Sequence, residues 1–215
     1  MGHKVNPTSL RVGLTRGWQS QWFATKDYRI ALHQDRLIRE TLGKKLGRQA
    51  AVAAVSIMRG PKEVTITIHT ARPGIIIGRG GSGIAELRQI VAKLLPPGTK
   101  YNLEIMEIKK PELSAELVAQ SIAAQIEKRV SYRRAMKQAI SRVLDAGAKG
   151  VKIIISGRLG GAEIARRETL KEGALPASRL AADIDYAEED AFTTYGVVGI
   201  RVWIYRGEQK EGEED

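Results

Sequence analysis

The sequence predicts an α+β protein of two domains, and three observations lead to this prediction. Stretches with apolar residues at helical spacing alternate with short runs in which every second residue is apolar, so both helices and half-buried strands are expected. These elements do not follow the repeating strand–helix order of a parallel α/β fold. Lys109-Lys110-Pro111 interrupts the pattern midway along the 215 residues, which indicates a domain junction.

The first domain is expected to begin with a helix and a hairpin. The apolar residues of Lys26–Lys44 fall on one side of a helical wheel, and alternating runs on either side of Gly60-Pro61 predict two paired strands. The glycine-rich segment Gly78–Gly83 then leads into a helix that ends at Pro96-Pro97-Gly98. A third strand follows and completes the domain by about Ile108.

The second domain is expected to hold two helices against a mainly antiparallel four-stranded sheet. Apolar residues between Leu113 and Ile126 predict one helix, and those between Met136 and Val143 predict another. We expect a break with Ser131 as N-cap, because in one continuous helix Arg129 would lie within the apolar stripe. Strand-like runs follow at Val151–Ser156, Arg167–Lys171, Leu180–Tyr186 and Val197–Tyr205.

Four segments are therefore expected, a basic arm, two domains and an acidic tail, at residues 1–16, 17–108, 109–207 and 208–215. The arm lacks apolar periodicity, so we expect it to be extended and to become ordered on phosphate through Lys4 and Arg11. We expect the aromatic residues Trp18, Trp22 and Phe23 to pack and to anchor the arm on the first domain.

The charge balance indicates a polyanionic partner. The net charge is +11, and the last eight residues carry −4, so the rest of the chain carries +15. Nucleic acid is the first expectation, ahead of an anionic membrane. The chain has no cysteine and three widely spaced histidines, and no apolar run approaches the ~18 residues of a membrane span. We therefore expect a cytoplasmic protein with no metal or other cofactor, no membrane partner and no small-molecule substrate.

The glycine-rich segment Gly78–Gly83 fits two patterns. The dinucleotide fingerprint G-x-G-x-x-G needs a central strand before it, and only three residues, Ile75–Ile77, separate Arg72-Pro73-Gly74 from the first glycine. The other pattern is isoleucine followed by G-x-x-G, which in the KH fold joins two helices and clamps RNA backbone. A plain tight turn is the structural alternative. We expect Ser82 to cap the next helix, and the expected RNA contacts are Arg72, Gly78, Arg79, Gly80 and Gly81.

A second basic cluster lies on the predicted helix after Ser131. Arg133, Arg134 and Lys137 fall within one arc of the wheel at the margin of the apolar stripe, and no acid occurs between Lys128 and Arg142. A solvated helix face is the ordinary explanation. Because like charges repel, however, a ridge of one sign without carboxylates favours an RNA partner.

A third feature runs from Ser156 to Arg167, where a strand is expected to enter a glycine turn and a short basic helix. Arg158, Arg166 and Arg167 are its candidate RNA contacts. Asp183 and Asp185 could suggest a metal or acid–base site, but no histidine or nucleophile accompanies them. We expect them to be exposed on one strand face and to pair with nearby arginines.

Specific strings are spread along the chain: Gly2-His3-Lys4-Val5-Asn6-Pro7, His69-Thr70-Ala71-Arg72-Pro73-Gly74, Arg133-Arg134-Ala135-Met136-Lys137, Ser156–Ala165, Ala182-Asp183-Ile184-Asp185-Tyr186 and Thr193-Thr194-Tyr195-Gly196-Val197. Through them the chain closely resembles, over nearly its whole length, the bacterial form of the universal third protein of the small ribosomal subunit. That family often has arginines where this chain has Ala174 and Ala181. Arg179 is expected on the same strand face as Ala181 and is a candidate to supply the positive charge that is missing there.

The resemblance implies a type II KH domain (α-β-β-α-α-β) followed by the α+β domain. It also implies a place in the head of the 30S subunit on 16S rRNA, beside small-subunit ribosomal proteins ten and fourteen. The residues Arg133, Arg134 and Lys137 match positions at the channel through which mRNA enters, where they are thought to help unwind mRNA. Two other interpretations remain open, a free-standing KH-type RNA-binding regulator and a nucleotide-dependent enzyme.

Overall fold

The computed structural model describes residues 5–60, 63–96 and 98–208. The chain divides into two units, Trp18–Lys109 and a second unit of Met1–Gly17 with Lys110–Asp215. The N-terminal segment, which contains a short helix α1 (Pro7–Arg11), thus groups with the C-terminal unit instead of forming a separate arm. Lys4 and residues 209–215 of the predicted acidic tail lie outside the described residues.

The unit Trp18–Lys109 has the α-β-β-α-α-β order, preceded by one short strand. Its sheet runs in the order β1-β2-β3-β4, with β2 and β3 antiparallel and the two outer pairs parallel. Alternate residues of the central strand β3, among them Ile66 and Ile68, are buried with Ile38 of the first helix and Val91 of the last. The elements are β1 (Ser20–Gln21), α2 (Tyr28–Leu46), β2 (Val52–Arg59), β3 (Glu63–Thr70), α3 (Pro73–Ile77), α4 (Ser82–Leu94) and β4 (Lys100–Glu107).

A buried carboxylate on α2 joins the strands of this unit to the helix. Asp35 accepts hydrogen bonds from the Trp22 indole at 2.8 Å, from the Ser20 hydroxyl at 3.1 Å and from Arg59 Nε at 2.7 Å. Trp22 is therefore held within this unit, although Met1–Gly17, which it was expected to anchor here, groups with the other unit. Trp18 and Phe23 are 69% and 89% exposed, so the prediction that they pack is wrong. The segment that carries them pairs with β2 only at Ser20 and Gln21, which leaves their rings without a facing surface.

The C-terminal unit holds two helices and an antiparallel sheet in the order β6-β5-β8-β7. The predicted break between the helices is confirmed: Arg129 has a left-handed φ of 62°, and Ser131 is the N-cap residue of the second helix. The last two strands are longer than predicted, and Arg179 lies in the turn before them instead of on a strand face. The elements are α5 (Ala115–Glu127), α6 (Tyr132–Asp145), β5 (Gly150–Gly157), β6 (Arg166–Gly173), β7 (Ala182–Thr193) and β8 (Gly196–Glu208).

Both helices pack on the same face of this sheet. Ile122 of α5 and Ile140 of α6 are buried in one cluster with Ile153 of β5 and Val202 of β8. Because side chains alternate along a strand, the residues between these core positions project from the opposite face. That face is closed at one end by a small cluster of Ile184, Tyr205 and neighbouring apolar residues.

Arg11 lies inside the C-terminal unit, with no exposed surface. Its Nε donates to the carbonyl of Ala182 at 2.8 Å, and its two Nη atoms donate to the carbonyls of Pro7, Ala177 and Arg179 at 3.0, 3.1 and 2.6 Å. The expectation that Arg11 contacts RNA is therefore corrected. Its guanidinium donates hydrogen bonds to buried main-chain carbonyls, and a phosphate could reach it only if the fold opened.

The acidic pair on β7 is engaged by arginines, as expected. Arg16 contacts Asp185 at 2.8 Å and Asp183 at 3.6 Å, and Arg206 contacts the same two carboxylates at 2.9 and 3.5 Å. Asp185 is nevertheless buried rather than exposed, and its second oxygen accepts the backbone amide of Ala115 at 2.8 Å. This bond fixes the start of α5 and gives the pair a structural role.

Replacement of Arg11 by Met should destabilise the C-terminal unit strongly, because up to four buried carbonyls would lose their donor. We expect the free energy of unfolding to fall by about 3–5 kcal/mol, measured by urea denaturation of the full chain. The exposed Arg36, paired only with Glu40 one turn away, is the control, and its replacement by Met should cost less than about 0.5 kcal/mol. Equal effects of the two substitutions would contradict the buried-anchor role.

Glu116, in the first turn of α5, gives this unit a pH dependence. Burial raises its pKa to about 7, with a smaller contribution from Glu189 and Asp185, against the hydrogen bond from Gln120 at 3.2 Å. Because the folded chain holds this proton more tightly than the unfolded chain, whose pKa is near 4.5, stability falls as pH rises from about 4.5 to 7.

Glu116→Gln should therefore leave stability almost unchanged near pH 4.5 and raise it above pH 7 relative to the unsubstituted chain. Thermal unfolding of both proteins across this range measures the difference. Glu163→Gln, on an exposed residue, is the control and should show no such divergence. A difference that is constant with pH would show that folding does not shift the pKa of Glu116.

Candidate nucleic-acid interface

The glycine loop connects two helices at close approach. A Cβ on Gly83 would lie 2.3 Å from the carbonyl oxygen of Ile76, so only glycine allows α4 to start this near the end of α3. Gly80, at the turn between them, has a φ of 61° and open space around it. A helix, α3, precedes the loop, whereas the dinucleotide fingerprint requires a strand. The nucleotide-binding interpretation is therefore wrong for this loop.

The first turn of α4 faces this loop without a side-chain cap. Gly81 is the N-cap residue and Ser82 is already the first helical residue, so the prediction that Ser82 caps the helix is wrong. The first turn also contains no acidic residue. The amides at a helix N-terminus attract anions, and here neither a side-chain oxygen nor a carboxylate of that turn competes for them.

Basic and apolar side chains border the loop. Arg72 and Arg79 are exposed, and among the described residues neither has an ion-pair partner. Ile75 and Ile77 are 51% and 39% exposed, while Ile76 between them is buried. Exposed apolar surface beside a phosphate-binding loop suits the bases of a single strand. Neither isoleucine was among the predicted contacts, although three consecutive isoleucines on a short helix cannot all face inward.

The predicted ridge on α6 is exposed in the structure. Arg133, Arg134 and Lys137 project into solvent, while Met136 and Ile140 are buried beneath them. In the described part of the chain no carboxylate lies within ion-pair distance of these three residues. The ridge is therefore a surface of one sign, held on a helix whose other side is fixed in the core.

A groove of about 680 Å³ runs between this ridge and strand β6. Tyr132 lines it and orders the first arginine: the Arg133 guanidinium carbon lies 5.6 Å from the ring centroid, and Arg133 Nε donates to the tyrosine hydroxyl at 3.1 Å. Glu168 and Leu170 of β6 form the opposite wall. The groove thus combines cations, an aromatic ring and an apolar floor, which are the groups that bind a single RNA strand.

The third predicted cluster differs from expectation. Residues 162–165 are not helical, and Arg166 and Arg167 begin strand β6, where pairing of Gly157 with Arg166 extends the sheet. Both arginines are exposed, on opposite faces of that strand. Arg158 donates to the carbonyls of Ala162 and Tyr195 at 3.0 and 3.1 Å. It braces the glycine turn, so its guanidinium is only partly available to RNA.

In the described ranges, no group of three or more histidine, aspartate or glutamate side chains could hold a metal ion. None of the helices in the same ranges is long and apolar enough to cross a membrane.

Comparison with known proteins gives two family matches and several close relatives. Residues 37–113 match the KH domain, and residues 122–204 match the description "Ribosomal protein S3, C-terminal domain". Curated proteins named small ribosomal subunit protein uS3, from Bacillus cytotoxicus, Bacillus thuringiensis and Bacillus cereus, are each 52% identical over 208 residues. Each alignment covers 97% of this chain and 94% of the relative.

Replacing both Arg79 and Gly80 by Asp should weaken binding of single-stranded RNA at least about tenfold at low salt, through the loss of a charge-assisted contact and repulsion of phosphate. The fold should persist, because a side chain at position 80 meets no atom within 4 Å and Asp tolerates a left-handed φ better than most residues. Fluorescence anisotropy with a short unstructured RNA measures the affinity.

The neutral pair Arg79→Asn and Gly80→Asn is the matched control, since it has the same shape as the acidic pair without its negative charge. It should bind RNA with an affinity between those of the unsubstituted chain and the acidic variant. Unchanged affinity of the acidic variant, with a native circular dichroism spectrum, would remove the loop from the RNA-binding surface.

Proposed function

The chain belongs to the ribosomal protein S3 family, and we propose that it binds 16S rRNA and helps to form the channel through which mRNA enters the small subunit. As a member of this family it is a structural ribosomal protein and not an enzyme. The proposal places it in the head of the 30S subunit in the cytoplasm, with small-subunit ribosomal proteins ten and fourteen as neighbours. The finer assignments rest on the surfaces described above.

The single observation that carries the mRNA role is the α6 ridge. Arg133, Arg134 and Lys137 contribute three positive charges within about one helical turn, beside the groove lined by Tyr132. Charges of one sign this close repel each other, and a phosphate backbone would remove that repulsion. Lysine and arginine contacts to phosphate carry no sequence information, which suits a surface that every message must cross.

A ridge of this kind favours unpaired RNA by shifting an equilibrium. The groove accepts one strand, with phosphates on the cations and a base against Tyr132, whereas a duplex is too wide to place its bases there. A surface that binds the open form more tightly than the paired form raises the fraction of open message. In this mechanism the protein needs no energy source of its own, since the advancing ribosome supplies the directed movement.

The KH-type loop also fits a free-standing RNA-binding regulator. That alternative accounts for Arg79 and the loop but not for the family match over residues 122–204. Sedimentation of lysate at high magnesium separates the two: a ribosomal protein is present in 30S particles at one copy per particle, and a regulator remains largely in the soluble fraction. This measurement also provides the reference for the variant described next.

Changing Arg133, Arg134 and Lys137 together to Ala should leave the fold stable, since the three side chains are exposed and Ala is the best helix former. The variant should still enter 30S particles. Loss of three phosphate contacts should lower the salt slope of RNA binding by roughly 2–3 units, at ~0.7–0.9 per phosphate. Translation should slow selectively on messages with a stable hairpin ahead of the channel.

Ala at Arg29, Arg36 and Lys44 is the matched control, because it removes the same charge from exposed positions of α2. This control should translate structured and unstructured messages at the same ratio as the unsubstituted protein. Equal slowing of the α6 variant on both kinds of message would exclude the unwinding role. Failure of that variant to enter 30S particles would reassign the ridge to rRNA anchoring.

A further inference from the structure

The chain from Val5 to Gly17 is held on the C-terminal unit almost entirely by polar contacts. Besides Arg11, only Pro7 of this Val5–Gly17 segment is buried. Its larger apolar side chains, Val5, Leu10 and Leu14, are exposed. In the described part of the chain, the large apolar cluster beneath α5 and α6 includes no residue of the segment. Apolar burial therefore contributes little to holding the segment in place.

The groups that hold the Val5–Gly17 segment form a site suited to arginine. Arg11 donates to main-chain carbonyls and Arg16 contacts carboxylates, and all these acceptors lie within residues 177–185. A guanidinium presents several N–H donors in one fixed plane, whereas a lysine ammonium is a single point of charge. We call these acceptors the docking site; they are the carbonyls of Ala177, Arg179 and Ala182 and the carboxylates of Asp183 and Asp185.

The segment and its docking site are far apart along the chain. The carbonyls that Arg11 binds in the docking site lie 166, 168 and 171 residues after it. The whole unit Trp18–Lys109 lies between them in sequence, so the covalent chain joins the segment to the rest of the C-terminal unit only through that other unit. The sheet β6-β5-β8-β7 contains no strand from the segment. Docking can therefore form or break while the sheet stays intact.

The docked state contains terms of opposite sign. The buried hydrogen bonds of Arg11 favour it. The hydroxyl of Thr15 opposes it, because this group is buried and has no hydrogen-bond partner among the described residues. The ion pairs of Arg16 with Asp183 and Asp185 are only partly buried, so salt weakens them. A segment held in this way opens at a lower free energy than the apolar core of the sheet.

We propose that the docking site is a peptide-binding site for the chain's own Val5–Gly17 segment, which binds there reversibly and detaches without unfolding of the sheet. When the segment detaches, the carbonyls before β7 lose the donor that holds them. Asp185 also loses Arg16, and the same carboxylate accepts the Ala115 amide at the start of α5. Opening therefore loosens three stretches that are distant in sequence: residues 5–17, 110–116 and 174–181.

The order of synthesis makes docking the step that completes the fold. The Val5–Gly17 segment is made first and its docking site almost last, while the unit Trp18–Lys109 is one continuous stretch that needs neither. At ~5–20 residues per second, the chain between Arg11 and Ala182 takes roughly 10–35 s to make. Arg11 has no docking site to bind during that time. A docked segment thus distinguishes a complete chain from an unfinished one.

Hydrogen exchange of the full-length chain, followed by mass spectrometry, measures this opening. Peptides covering the three stretches should exchange through one common opening, faster than peptides of β5 and β8. Arg11→Lys should accelerate all three together by at least about tenfold, and Thr15→Val, which removes the unpaired hydroxyl, should slow them. Arg36→Lys, at an exposed position of α2, is the control and should change none of them. Exchange of the three stretches only at the rate of β5 and β8, or independent responses to Arg11→Lys, would overturn the proposal.

A peptide added in trans tests the docking site itself. In the full-length variant Arg11→Met with Arg16→Met, the chain's own segment cannot dock. A synthetic peptide of residues 5–17 should bind this variant saturably and restore slow exchange at 110–116 and 174–181. The same peptide carrying Arg11→Lys is the matched control and should not restore it, and the unsubstituted chain, whose site is occupied, should not take up the peptide.

Absence of peptide binding to a variant that retains a native circular dichroism spectrum would contradict a separable docking site. Equal rescue by the Arg11→Lys peptide would contradict the selectivity for arginine. If the double variant does not fold, the exchange of the unsubstituted chain and of Thr15→Val decides the question, since neither protein loses a hydrogen bond of the docked state.

Discussion

The C-terminal unit depends on the burial of one guanidinium. A buried charge is tolerated only when it is fully hydrogen-bonded, and Arg11 meets that condition by collecting carbonyls from α1, from the turn before β7 and from the first residue of β7. The turn so held carries Leu175, which packs with Tyr205 and Ile184 at one end of the sheet face opposite α5 and α6. The same contacts bring Arg16 to Asp185, whose other oxygen fixes the first amide of α5. One residue near the N-terminus thus organises elements from the far end of the chain.

Three acidic side chains, Asp35, Asp183 and Asp185, are engaged by arginines within the two units. Asp35 binds Arg59, and Asp183 and Asp185 bind Arg16 and Arg206. An acid that is paired in the interior is not available to neutralise a distant surface. The loop at Arg79 and the ridge on α6 remain basic because, among the described residues, no carboxylate lies within ion-pair distance of their cations.

The spacing of apolar and charged residues predicted the elements that depend only on neighbouring residues. The helices α2, α5 and α6 follow from apolar spacing, and the break at Arg129 follows because a charge could not lie in the apolar stripe. Arg11 could not be placed in this way, since its acceptors at Ala177, Arg179 and Ala182 are more than 160 residues away in sequence. Because it lies among glycine, proline and arginine residues, a solvated arm was predicted. Tertiary contacts bury the side chain instead.

In the candidate site, too, some features follow from local sequence spacing and others depend on tertiary structure. The α6 ridge was predictable because a helical wheel relates three charges to the stripe beside them. The basic helix expected before Arg167 did not form, because Gly160 and Gly161 take left-handed φ values and Arg166 is recruited by pairing with β5. The exposure of Ile75 and Ile77 depends on tertiary packing, which a single sequence does not define.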